Sequence, residues 1–436
     1  MVFLGPASSW SSDALSSGFP MMAMKKGCSV VMLCMAAIAL ITFGLGIMSV
    51  SFPASSVSLQ PSSTVSTVRS NILINVLPSL RECDLWKGRW VKDKKMKPLY
   101  ANNSCPVLTA TQNCEGNGRP DKKYVKWRWQ PQGCDLPRFD ADLFFRLLRG
   151  KKLAFIGDSV ARNHMESLMC ILWQTEVPEN KGSRRMQRWY FRSHQVTVIR
   201  IWSAWLVNIT NEAYAFAPAN LTKLHLEQAD HAFMDFLASL DVLVVSAGHW
   251  FAKRTAFVLD GRIVGGQLWS HKRLPSRSMQ NPAALAIALS TALLAITSHP
   301  HYKGLTILRT YSPDHYEGGA WNTGGSCTGK TRPLTDSQLV ANAYTDLMRQ
   351  HQLNAFFSAQ RNITNQSKLR LLDITPVFAY RADGHPGPYR SRDPNKVIKR
   401  GPHGEPPPQD CLHWCMPGPI DIWNDFLLQI LQKEMS

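Results

Sequence analysis

Apolar and polar positions fall into two alternating periods along most of this chain. Residues 152–156 are apolar and β-rich, the pattern of a buried strand, and Val160, His164, Leu168 and Leu172 then recur about one helical turn apart as far as Trp173. A Gly157-Asp158-Ser159 turn joins the two. Strand-like apolar runs return at 196–202, 242–246, 306–310 and 371–374. Helical patterns occupy 282–297, 335–352 and 420–431, and 139–150 reads as a helix stopped by Gly150. Strands alternating with helices predict an α/β fold around a central parallel sheet.

The two ends of the chain depart from that pattern. Lys25 and Lys26 precede an uncharged apolar run over 27–50, long enough to span a bilayer with some tilt. The basic flank predicts a cytosolic tail (1–26), a single-pass type II signal anchor (27–50) and a luminal remainder. A cleaved signal peptide is the alternative, but the run exceeds the usual h-region. Residues 51–80 are rich in Ser, Val and Thr with Arg69 as their one charge, so a luminal stem is expected over 51–81. From 82 to 138 Cys, Trp, Arg and Gly are dense, which predicts a small loop-rich, disulfide-stapled region ahead of a domain over 139–436. Trp86, Trp90, Trp127 and Trp129 either stack on sugar rings or fill that region's core, and core is the expectation for most.

Composition narrows the compartment and the partners. The chain has 436 residues, 44% of them hydrophobic, and a formal charge of +18. A secretory anchor removes it from nucleic acid, leaving an anionic polysaccharide, a membrane surface or an anionic donor to answer the charge, or simple surface solvation. Of ten cysteines, Cys28 and Cys34 lie in the anchor. Cys83, Cys105, Cys114, Cys134, Cys170, Cys327, Cys411 and Cys415 remain, an even set that predicts disulfides in an oxidising lumen. With no Cys-x-x-Cys, no metal site is expected. Sequons at Asn102, Asn208, Asn220, Asn362 and Asn365 are candidate glycosylation sites.

The candidate chemistry is split between the two ends of the domain. A serine at a strand-to-helix turn stands at the carboxyl edge of a parallel sheet near unpaired N–H groups, a geometry suited to acyl transfer. Asp158 and Ser159 are equally good helix caps. Near the C-terminus, Asp410-Cys411-Leu412-His413-Trp414-Cys415 spaces a carboxylate and an imidazole so that Asp410 can orient His413 as a base toward Ser159. Asp158, Arg162, Asn163 and Gly248 are candidate oxyanion or site-lining residues. His315 is a weaker candidate base, and His385 a candidate wall of the acceptor groove.

These two stretches, with Trp127-Arg128-Trp129, Trp321-Asn322-Thr323-Gly324-Gly325-Ser326-Cys327 and Asp383-Gly384-His385-Pro386-Gly387-Pro388, resemble the plant trichome-birefringence-like polysaccharide O-acetyltransferases. These are Gly-Asp-Ser-Leu esterase/lipase-like proteins carrying a PC-esterase domain, and the resemblance runs from about 82 to 434. It implies a three-layer SGNH/GDSL-like α/β fold with the cysteine-rich region packed beside the sheet. It also implies Cys83–Cys134 and Cys105–Cys170 bridges, with Cys114, Cys327, Cys411 and Cys415 pairing among themselves, and we expect the latter bridges to hold His413. The implied activity is acetyl transfer through an acetyl-serine in the Golgi, on the luminal side of the membrane. No cofactor is bound; acetyl-CoA or a derived carrier is co-substrate, brought by an acetyl-donor delivery protein. Acceptors are hemicelluloses, mannan or xyloglucan ahead of xylan, with pectin transfer and carbohydrate acetyl ester hydrolysis as alternatives. The chain departs from the Gly-Asp-Ser esterases at Gly248-His249-Trp250, where Gly-x-Asn is usual, so the asparagine oxyanion donor is in doubt.

Overall fold

The computed structural model describes residues 83–183, 186–393 and 409–436, so the predicted tail, anchor and stem lie outside the described residues. The cysteine-rich region builds one antiparallel pair, β1 (Gly88–Lys92) against β2 (Trp127–Pro131). Helix α1 (Ala141–Leu147) is capped by Asp140, whose side chain accepts from Leu143 N–H. It is shorter than the 139–150 pattern suggests. Beyond it come β3 (Lys152–Gly157) and α2 (Ser159–Leu172). The remaining strands are β4 (Glu179–Asn180), β5 (Met186–Phe191), β6 (Val196–Trp202), β7 (Val207–Thr210), β8 (Thr222–Ala229), β9 (Val242–Ser246), β10 (Thr255–Leu259), β11 (Arg262–Gln267), β12 (Leu305–Arg309) and β13 (Lys368–Leu372). Helices α3 (Asn281–Ser298), α4 (Ala343–Arg361) and α5 (Asp421–Met435) complete the layers.

The central sheet has the order β13-β12-β9-β3-β6-β5-β4. Its strands from β13 to β6 are parallel, and β5 and β4 add an antiparallel edge. Period-two alternation then sorts the side chains. Leu153 and Phe155 of β3 face a layer that includes α2, α5 and the cysteine-rich region, while Ala154 and Ile156 face α3 and α4. The chain is therefore the expected three-layer α/β fold. Within the N-terminal region the tryptophans pack: Trp86 lies 4.8 Å from Phe426, and Trp90 stands edge-on to Trp129 and Phe378. Indole N–H groups of Trp90 and Trp129 donate to the carbonyls of Val377 and Leu85.

A second sheet, β11-β10-β8-β7, adds strands that are not among those predicted. Helix α3 lies between the sheets, with Leu289, Leu293 and Ile296 toward the central one and Ala284, Leu285 and Ala288 toward the smaller one. Apolar on both sides for this reason, α3 is long and apolar enough to cross a membrane yet is half buried in the fold. The helix predicted at 335–352 begins later. Thr335 forms a capping box around the short turn Asp336–Gln338, and Asn342 caps α4 anew by accepting from Thr345 N–H.

Among the described residues four disulfides form, Cys83–Cys134, Cys105–Cys170, Cys114–Cys415 and Cys327–Cys411. Asn365 does not suit glycosylation: both of its amide hydrogens donate, to the carbonyls of Ile296 and His299, and a glycan would remove one. Asn220 is exposed.

Two buried carboxyls on α5 make stability depend on pH. Burial raises Asp421 to about 6 and Asp425 to about 7. The folded chain thus binds their protons more tightly than the unfolded chain does. Stability is full below about pH 4 and is lost as the pH rises through the folded values, by on the order of a few kcal/mol for Asp425. Asp425→Asn keeps an oxygen for Phe139 N–H, which now bonds Asp425 at 2.8 Å. It is expected to raise the thermal midpoint most at pH 8, less at pH 5, and to leave it nearly unchanged near pH 4; a lower midpoint at pH 8 would contradict this account.

Candidate active site

The turn that presents Ser159 is set by Gly157 and Asp158. Gly157 has φ of 148°, and a Cβ there would sit 1.8 Å from the Ser246 carbonyl oxygen, so glycine lets β3 end hard against β9. Asp158 then caps α2, accepting from Val160 N–H at 2.9 Å and from Ala161 N–H at 3.4 Å. Every residue of α2 except Ser159 and Arg162 is buried. Ser159 therefore opens a rigid helix, beside first-turn N–H groups that no intrahelical carbonyl can satisfy.

His413 and Asp410 come from the C-terminal loop before α5. His413 Nδ1 lies 3.0 and 3.1 Å from the two carboxylate oxygens of Asp410, and Oδ1 of Asp410 also accepts from the N–H groups of Leu412 and His413. Burial raises the Asp410 carboxyl, but the charge and hydrogen bonds of His413 together outweigh it and hold the group well below the ordinary carboxylate range. With Nδ1–H given to the carboxylate, Nε2 carries the lone pair. It is buried and has no hydrogen-bond partner among the described residues.

Asn163, one helical turn after Ser159, links the two halves. Its Oδ1 accepts from Trp414 N–H at 2.7 Å and its Nδ2 donates to the Trp414 carbonyl at 3.3 Å. Its amide thus lines the site by bonding both edges of the residue after His413, with one Nδ2 hydrogen left over. Arg162 is directed elsewhere, with its Nε 3.7 Å from Glu166. Asp158 serves as the cap, and Gly248, at φ of 151° and packed on the Tyr311 ring, starts the turn after β9.

The departure at His249 has a structural counterpart. His249 stacks on Tyr311, bonds the Ser312 carbonyl through Nε2 at 2.9 Å, and brings Nδ1 to 3.7 Å from Oδ2 of Asp158. Burial would raise Asp158, but the nearby His249, with the charge of Arg309 and the bond from Val160 N–H, outweighs it and keeps the carboxyl low. Arg309, fully buried under the same turn, is brought down by burial to about 10. The sequence flagged this stretch only through its missing asparagine.

His315 and His385, the other candidate histidines, lie behind His413. His385 Nδ1 is 2.8 Å from the His413 carbonyl, and its Nε2 is 2.7 Å from His315 Nδ1. Neither is placed as the base. The bridges Cys327–Cys411 and Cys114–Cys415 bracket His413 as expected, and backbone bonds from Cys415 and Met416 N–H to Gly384 and Gln112 add to their hold. Cys415→Ser is expected to destabilise the fold by about 2 to 5 kcal/mol. It should also lower turnover of the folded fraction more than acceptor affinity; an unaltered rate in that fraction would refute the positioning role.

A model of the GDSL/SGNH-like acyl-esterase family found in Pmr5 and Cas1p matches residues 136–430, and one of the PMR5 N-terminal domain matches residues 81–135. Over 358 residues the chain is 57% identical to Protein YLS7 of Arabidopsis thaliana, covering 81% of this chain and 71% of that one. It is 55% identical over 355 residues to Protein trichome birefringence-like 18 of Arabidopsis thaliana, covering 81% and 66%. It is 38% identical over 359 residues to xyloglucan O-acetyltransferase 2 of the same organism, covering 81% and 83%.

Proposed function

Because the chain belongs to the GDSL/SGNH-like acyl-esterase family found in Pmr5 and Cas1p, we propose that it is a polysaccharide O-acetyltransferase working through an acetyl-serine. The observation that carries this reading is the Asp410–His413 pair with an unpartnered Nε2, tied through Asn163 to the helix that Ser159 begins. Ser159 Oγ attacks the acetyl carbonyl of the donor while His413 Nε2 takes its proton. The tetrahedral intermediate collapses, the bond to the donor breaks, and the leaving group receives that proton. An acceptor hydroxyl then gives its proton to His413 and attacks the acetyl-serine, and Ser159 leaves with the proton returned. With the Val160 and Ala161 N–H groups held by Asp158, the Ser159 N–H and the Gly248 turn are the backbone donors this reading assigns to the developing oxyanion, with the buried Arg309 supplying positive charge.

The acceptor in this reading is a hemicellulose, xyloglucan first because that is the substrate in a relative's name, then mannan and xylan. Trp321, 41% exposed with Lys253 Nζ 4.4 Å above its ring, offers a face for a sugar. We place the enzyme as a single-pass type II Golgi membrane protein, anchored by 27–50, with glycans at Asn102, Asn208, Asn220 or Asn362. Its acetyl donor, acetyl-CoA or a derived carrier, reaches the lumen through another protein. The test is incubation with acetyl donor and separate xyloglucan, mannan, xylan and pectic oligosaccharides, with added acetyl detected by mass. Ser159-dependent mass gain on xyloglucan is expected. Release of free acetate with no acceptor gaining mass would identify a hydrolase instead.

A further inference from the structure

Three contacts run in series behind the base: Ala379 O to His315 Nε2 at 2.8 Å, His315 Nδ1 to His385 Nε2 at 2.7 Å, and His385 Nδ1 to His413 O at 2.8 Å. Carbonyls only accept, so full occupancy needs a hydrogen on each outer nitrogen and one more between the rings. Two neutral imidazoles carry two hydrogens in total. Burial drives both rings toward neutrality, His315 to about 4 and His385 well below the ordinary histidine value, with His315 and Arg119 adding to the depression at His385. A neutral pair therefore gives up one of the three bonds.

The surroundings decide which. His315 and Ala379 line a cavity of about 690 Å³, where water can take the place of either partner. His385 is 3% exposed and lies against the buried Trp414 ring, 4.2 Å between centroids. Its unmade bond would leave a polar group without solvent, the more costly loss. Donation then runs inward, from His315 Nδ1–H into His385 Nε2 and from His385 Nδ1–H into the His413 carbonyl. The peptide joining His413 to Trp414 is thus gripped on both edges, its C=O by His385 and its N–H by Asn163 at 2.7 Å, bonds that polarise one another.

We propose that His385 is a positioning residue for His413, fixing the His413–Trp414 peptide against the helix of Ser159, and that His315 selects the His385 tautomer able to do so. This rests on the reading of Ser159 and His413 as nucleophile and base. The test uses the full chain with 4-nitrophenyl acetate, following the burst of Ser159 acetylation, its kcat and its KM. His385→Ala is expected to lower kcat about ten- to a hundredfold with KM within about twofold, because a small misplacement of a catalytic group has that effect. His385→Asn sets its amide nitrogen where Nδ1 stood and is expected to recover kcat to within about threefold of the wild type. His385→Gln sets a nitrogen where Nε2 stood and is expected to stay as low as the alanine variant. Should the alanine variant not fold, the Asn and Gln variants decide between them. Equal kcat for folded Asn and Gln variants, or an unaltered kcat in folded His385→Ala, would overturn the proposal. A burst that survives Ser159→Ala would instead sink the catalytic reading beneath it.

Discussion

Ser159→Ala is expected to abolish acetyl-enzyme formation and to lower acetyl transfer by about 10⁴-fold or more. The hydroxyl is the one group at the head of α2 that could carry the acetyl. The helix does not need it, since the cap is the carboxylate of Asp158 and the rest of α2 apart from Arg162 is buried. The variant should therefore fold normally and still bind acceptor. Intact-protein mass after exposure to donor reads the covalent step directly, a gain of one acetyl group in the wild type and none in the variant. Retained transfer by a folded Ser159→Ala chain would rule out the covalent mechanism.

Asp410→Asn is expected to lower kcat by about 10⁴-fold while leaving a folded chain. The amide oxygen of Asn can still accept from the N–H groups of Leu412 and His413, which keeps the loop's turn. Its NH₂ must then face His413 Nδ1. The ring can meet a donor there only by moving its proton to Nε2, which removes the lone pair that the proposed base uses. A melting curve near that of the wild type together with a lost acetylation burst is the expected pair of results. A wild-type burst would show that Asp410 does not set the tautomer.

The central sheet was legible because β3, β9 and β12 are buried on both faces and read as continuous apolar runs. The smaller sheet was less so: its strand β8 does alternate, with Leu224 and Leu226 between Lys223, His225 and Glu227, but two apolar residues make a short signal, and Gly265 and Gly266 interrupt the pattern of β11. Glycine is required at 265, where a Cβ would meet the Met279 backbone at 2.2 Å. At the site, Ser159, Asp410 and His413 stood out through local spacing. The roles of Asn163, His249 and His385 did not, because each acts on a residue far away in sequence, 251 positions in the case of Asn163 and Trp414. Asn163 was noticed for its place one turn after the serine, but its bond to Trp414 lay beyond local spacing.

The Cys114–Cys415 bridge spans 301 residues and encloses nearly the whole catalytic domain, from before α1 to just before α5. The backbone between those cysteines is thereby a closed ring. A single proteolytic cut in it, for example in the exposed stretch 271–277, divides the chain without dividing the molecule. Ser159 and His413 both lie inside the ring, so a nicked molecule keeps the two covalently joined by the arc that was not cut.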